Sequence, residues 1–172
     1  QSIIALVNGA RNQAGMPGFV TSTELTMVAQ RHSDDMAGHR VLDHVGSDGS
    51  QFWERMLDAN YSLTTGAENI LVRSDTNAQA TFNQWWSSAA HQANMMNPDY
   101  VEVGVAYAQA ADGTYYFTMV LGTRDSVVAP KFSSPTPLPP TSTPMPPTST
   151  PIPPTATNTP TPTNTPLPTA TW

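Results

Sequence analysis

Val101-Glu-Val-Gly-Val-Ala-Tyr107, a turn at Ala111-Asp-Gly113 and Tyr115-Tyr-Phe-Thr-Met-Val-Leu121 carry the period that decides the fold. Val101, Val103, Val105 and Tyr107 alternate with Glu102, Gly104 and Ala106, which puts one set on an inward face. Two such runs around a Gly-containing turn predict an antiparallel hairpin. Upstream of Asn97-Pro98 the spacing is helical instead. Residues 2–14 hold apolar groups at helical intervals and stop at Gly15, with Pro17 just beyond. Thr21 or Thr23 caps a second expected helix running to about Gly38, with Leu25, Val28, Ala29 and Met36 on one stripe. Ser50 follows the Gly46-Ser-Asp-Gly49 turn and caps a short helix through Asp58, with Phe52, Trp53, Met56 and Leu57 as its apolar positions. Thr76 begins another to about Ser88, with Ala80, Phe82 and Trp85 or Trp86 inward. Helices first and a terminal hairpin predict an α+β layered domain.

Past the hairpin the chain changes character. All 20 charged side chains lie at or before Lys131, and the 41 residues from Phe132 to Trp172 carry none. In Ser133–Trp172, 14 of 40 residues are Pro and 13 are Thr, too few apolar groups to offset the entropy of ordering. The expected division is therefore a folded domain over residues 1–129 and a Pro/Thr-rich stalk or linker over 130–172. A seven-residue repeat runs through it: Pro137-Leu-Pro-Pro-Thr-Ser-Thr143, Pro144-Met-Pro-Pro-Thr-Ser-Thr150 and Pro151-Ile-Pro-Pro-Thr-Ala-Thr157. Pro at that density forbids a coiled coil and predicts extended polyproline II, about 3.1 Å per residue and roughly 120 Å over 40 residues. Uncharged Pro/Thr tracts suit O-glycosylated stalks outside the cell. Thr141, Thr143, Thr148, Thr150, Thr155 and Thr157 are the expected acceptors, and Asn60 of Asn60-Tyr-Ser62 is a weaker N-linked one. Leu138, Met145, Ile152, Leu167 and Trp172 are the apolar positions expected to serve as subunit contacts in self-association.

Composition excludes other classes. The net charge of −6, with seven scattered Lys and Arg, lacks the basic face that nucleic acid requires. No run approaches the length of a transmembrane helix. With no Cys, neither disulfides nor thiolate metal sites exist. The chain begins at Gln1 directly on a helical apolar pattern, the expectation for a processed, secreted chain.

Site chemistry rests on four His. His32 and His39 fall seven apart in or near the second helix, on one face. His44 lies in Val41-Leu-Asp-His44, and His91 follows Trp85-Trp-Ser-Ser-Ala-Ala. A His pair with a carboxylate, Glu68, is the suggestive combination. Leu6-Val-Asn8 with Arg11, Ala29 through Met36, Leu42-Asp-His44, Ala67-Glu-Asn-Ile70, Trp85 through His91 with Asn94, and Val103-Gly-Val-Ala106 come in an order that resembles the CAP superfamily (cysteine-rich secretory proteins, antigen 5, plant pathogenesis-related proteins). The likeness covers residues 1–124 and is nearest the bacterial, cysteine-free branch. It implies a three-layer α-β-α sandwich with a cleft lined by two His and two acidic residues. By motif, His44 and His91 match the His pair and Glu68 the first acid. The second acid falls three residues after the helix Trp, where this chain has Ser88.

That departure bears on chemistry. A His/His/Glu/Glu set holds a divalent metal, so His44 and His91 are the metal-ligand candidates for an optional, weak Zn, and no cofactor is required. Replacing a carboxylate by a hydroxyl weakens such a site. The same residues also suit a structural role, with Glu68 between imidazoles raising their pKa. Ser88 three residues before His91 invites a hydrolase with Glu68 as orienting acid, but no Gly-x-Ser-x-Gly turn surrounds it. The expectation is an extracellular, cell-surface, non-enzymatic CAP head on a glycosylated stalk, used in surface display or as a fibre subunit. The alternatives are a lipid- or small-ligand-binding module and a hydrolase.

Overall fold

The computed structural model describes residues 2–124. The boundary at 129/130, the repeat, its Thr acceptors and the apolar contacts from Leu138 to Trp172 lie outside the described residues. Helices α1 (Ile3–Gln13), α2 (Thr23–His39), α3 (Phe52–Asp58), α4 (Ala78–Trp86) and α5 (Ala89–Met95) accompany strands β1 (Val20–Thr21), β2 (Leu63–Arg73), β3 (Glu102–Gln109) and β4 (Tyr115–Arg124).

The hairpin forms as expected. β3 and β4 run antiparallel from Glu102 opposite Gly122 to Gln109 opposite Tyr115. At its tip Gly113 adopts φ 88°, the left-handed conformation that only Gly takes without strain. β2 pairs antiparallel with the other side of β4, and β1 pairs parallel with β3, giving the order β1-β3-β4-β2. β4 is thus internal, and Tyr116–Leu121 is buried without a break.

Helices cover both faces. α2 and α3 press Leu25, Val28, Ala29 and Met56 against Ala106 and Val120. On the opposite face Ile3, Val7, Trp85 and Met95 meet Leu71, Val103, Phe117, Met119 and Leu121. This is the three-layer α-β-α sandwich. α2 sits so close to β3 that a Cβ built on Gly104 would lie 2.1 Å from the Leu25 carbonyl carbon.

Several boundaries differ from the sequence reading. Ser22, not Thr21 or Thr23, caps α2, its Oγ accepting from Leu25 N at 3.3 Å. Gln51 rather than Ser50 precedes α3, and its N–H donates to Glu54 Oε2 at 2.8 Å. Asn77 replaces Thr76 as the cap of α4. His91 lies inside a separate helix, α5, because the chain breaks at Ser87 and Ser88 and restarts. β2 had no expected counterpart. Helices on both faces bury Ala67 to Leu71 consecutively, so the strand shows no alternation.

Candidate functional site

Glu68 is on β2, at the sheet edge, and its side chain is 1% exposed. Burying a carboxylate is costly unless it is paired. Arg55 of α3, equally buried, donates from a terminal nitrogen to Glu68 Oε2 at 2.8 Å. His44 Nδ1 lies 2.9 Å from Glu68 Oε1, and His32 Nε2 lies 3.6 Å from the same oxygen. Both carboxylate oxygens are therefore engaged inside the protein.

The same groups hold the segment between α2 and α3. α2 ends where Arg40 turns left-handed at φ 55°. From there Arg55 donates to the carbonyls of His44 at 3.0 Å and Ser50 at 2.6 Å. His32 Nε2 is 2.9 Å from the Asp43 carbonyl, which marks that nitrogen as the protonated one. Asp35 accepts from Ser47 N at 2.8 Å, and Arg31 reaches Asp48 at 2.9 Å across the outside. On the far side of β2, Asn69 donates to the His91 carbonyl at 3.1 Å and accepts from Asn94 at 2.8 Å, which fixes α5.

Electrostatics separate the three imidazoles. Hydrogen bonding to Glu68 raises the His44 pKa above its ordinary 6.5. Burial lowers that of His32, outweighing the attraction of Glu68. His91 is lowered by burial and then by the neighbouring His44. The expectation that Glu68 raises both family His is thus corrected. It bonds His44 and neighbours His32, while His91 answers to burial and to His44. His44 is the most open of the three, its side chain 52% exposed, while His91 is half-buried and His32 fully buried.

Ser88 begins α5, and its side chain caps nothing. No hydrogen bond joins it to His91, so a nucleophile–base pair is not assembled. Both Glu68 oxygens already face Arg55 and His44, and among the described residues no group of three or more His, Asp or Glu is arranged to hold an ion. His39, expected on the face of His32, is exposed at the last turn and pairs with Asp35, while His32 is fully buried. Asn60 is exposed, at φ 60°.

Arg55 and His32 are the partners that sequence reasoning passed over. His32 continues the stripe Leu25, Val28, Ala29, Met36, a legible signal for burial. Arg55 had none. The apolar positions expected for α3 were Phe52, Trp53, Met56 and Leu57; Met56 is buried, but Trp53 and Leu57 are 44% and 55% exposed, and the helix turns Arg55 inward beside Met56. No helix among the described residues is long and apolar enough to cross a membrane.

The profile of the cysteine-rich secretory protein family, CAP, matches residues 4–121. An uncharacterized protein YkwD of Bacillus subtilis is 24% identical over 110 residues, covering 64% of this chain and 42% of that protein. The chain thus spans less than half the length of the curated relatives it matches. Among solved structures, an outer surface protein from Borrelia burgdorferi superposes with a TM-score of 0.65 at 17% identity, over 72% of this chain and 90% of that one. An extracellular protein with an SCP domain from Bacillus anthracis gives 0.63 at 22% identity, over 72% and 39%. With no Cys in its sequence, the chain fits the bacterial branch. It belongs to the cysteine-rich secretory protein family.

Proposed function

We propose that this is an extracellular, non-enzymatic CAP protein whose head is carried on an O-glycosylated Pro/Thr stalk, for display at the cell surface or as the subunit of an extracellular fibre. One observation carries the reading of the head: the buried Arg55 guanidinium neutralises Glu68, so the cleft carboxylate is consumed in holding residues 40–51. The uncharged Thr-rich repeat supports glycosylation, and Leu138, Met145, Ile152, Leu167 and Trp172 supply contacts for self-association. Intact-mass analysis and light scattering of the chain secreted from its own source test this. A mass above the bare 18.5 kDa and assemblies lost on deletion after Ala129 are expected. The bare mass together with monomers refutes it.

A second reading has its own observation. A groove of about 330 Å³ between α1 and α4, lined by Leu6, Phe82 and Trp86, suits a lipid tail or other small apolar ligand. Quenching of Trp86 fluorescence by a fatty acid would support it, and an unchanged spectrum at saturating fatty acid would remove it.

A further inference from the structure

β1 covers only the start of the β3 edge. Val20 N donates to the Val101 carbonyl at 2.9 Å and Ser22 N to the Val103 carbonyl at 3.0 Å, and the chain then turns into α2. Alternate residues of a strand present their backbone groups to the same edge, so the next groups there belong to Val105, Tyr107 and Gln109. Among the described residues no strand pairs with them. Gln30 Nε2 donates to the Tyr107 carbonyl at 3.3 Å and engages one acceptor. A cavity of about 600 Å³ opens along this edge, with Thr26 and Gln30 on one wall, Ile4 and Ala78 on the other, and Val105 and Tyr107 between. No side chain lining it is charged at neutral pH. Tyr107 is 48% exposed.

We propose that this slot binds an uncharged, extended peptide segment of a partner protein, which adds to β3 as a strand over residues 105–109. The added strand continues the pairing that β1 begins and breaks off, so it extends an interface already present in the fold. A site between two helical layers at a sheet edge is one strand thick, whereas a helix is about 10–12 Å across. Five residues of strand span roughly 17 Å, and their backbone groups meet those of Val105, Tyr107 and Gln109. Charge selects the partner. An ionised side chain entering the slot would shed its water and meet no counter-charge among the residues that line it; Asp34, 2.9 Å from Gln30 Nε2, stands outside the lining. The edge also lacks the Lys and Pro that commonly guard exposed strands against pairing. The slot shares no lining residue with the His44–Glu68 cluster.

The test uses the full chain, labelled with nitrogen-15, and the peptide acetyl-Thr-Val-Thr-Val-Thr-amide. Amide shifts at Val105, Tyr107 and Gln109, with slowed hydrogen exchange there, are expected. N-methylation of the peptide at alternate residues removes its donors and should weaken binding at least about tenfold. Gln30→Arg, at an exposed position, should weaken it similarly by placing a long charged group across the slot. Equal binding of the N-methylated peptide overturns the proposal, as do shifts confined to the surroundings of His44 or no shift at millimolar peptide. Shifts from hexadecanoate but not from the peptide overturn it in favour of an acyl chain.

Discussion

Glu68→Gln tests whether the cleft carboxylate is a structural ion. The substitution keeps the side-chain shape and removes the charge. Arg55 would retain the His44 and Ser50 carbonyls at 3.0 and 2.6 Å but lose the counter-ion it has at 2.8 Å among the described residues. With both side chains 1% exposed, the uncompensated guanidinium cannot recover solvation without opening the segment between α2 and α3. Breaking a buried pair this way costs about 3–5 kcal/mol, whereas an exposed pair is worth about 0–1. Urea unfolding followed by the emission of buried Trp85 measures the difference. With a slope of roughly 2 kcal/mol per molar, the midpoint should fall by about 2 M. Arg55→Met combined with Glu68→Leu should cost clearly less than the sum of the single changes at the two positions, because no charge is stranded. A single-variant cost under about 1 kcal/mol, or strict additivity, would refute the reasoning.

Two further predictions concern pH and packing. His44 has a raised pKa, so its contribution to stability is complete below the unfolded value near 6.5 and fades as pH rises through the higher folded value. His32 and His91 have lowered values, so they contribute above 6.5 and lose that contribution as pH falls through their folded values. Imidazole NMR titration should place His44 above 6.5 and His91 below it, and the opposite order would refute the assignment. His44→Asn should remove the gain in stability that the unsubstituted protein shows as pH falls toward 6.5 from above, and leave the slope below 6.5 unchanged, which thermal melts at several pH values will read. Gly104→Ala puts a Cβ 2.1 Å from the Leu25 carbonyl carbon and 2.2 Å from Thr26 N, both backbone atoms. Displacing α2 should cost about 3 kcal/mol or more and lower Tm by roughly 10 °C. A shift under about 2 °C would show that α2 moves freely.

Four helical segments were legible from their apolar stripes, and the hairpin from the alternation in β3 and the Gly-containing turn, although β4 itself is buried without a break from Tyr116 to Leu121. β2 was not, because helices on both faces bury Ala67 to Leu71 in succession and erase the alternation. At the site, motif singled out His44 and Glu68, and their side chains hydrogen-bond. It did not reveal Arg55, whose burial depends on which face α3 turns inward. Seven residues with Trp and Leu on the outward side misdirect any count of apolar positions. The end of α4 near Ser88 was legible, but the restart of the chain as α5 at Ala89 was not, because Ala89–Met95 is only seven residues long.

The internal place of β4 has a mechanical consequence. The chain continues past Arg124, so tension on the downstream residues enters the domain at the end of β4, which is bonded to β2 along one edge and to β3 along the other. Hydrogen bonds of an antiparallel ladder lie across the strand axis, and a pull along that axis loads them together instead of one after another. Arg124 stands at the point of entry, tied to Glu24 at 3.0 Å and Glu102 at 2.8 Å and lying over the Tyr61 ring. Force entering there meets this ion-paired clamp ahead of the buried run Tyr116–Leu121.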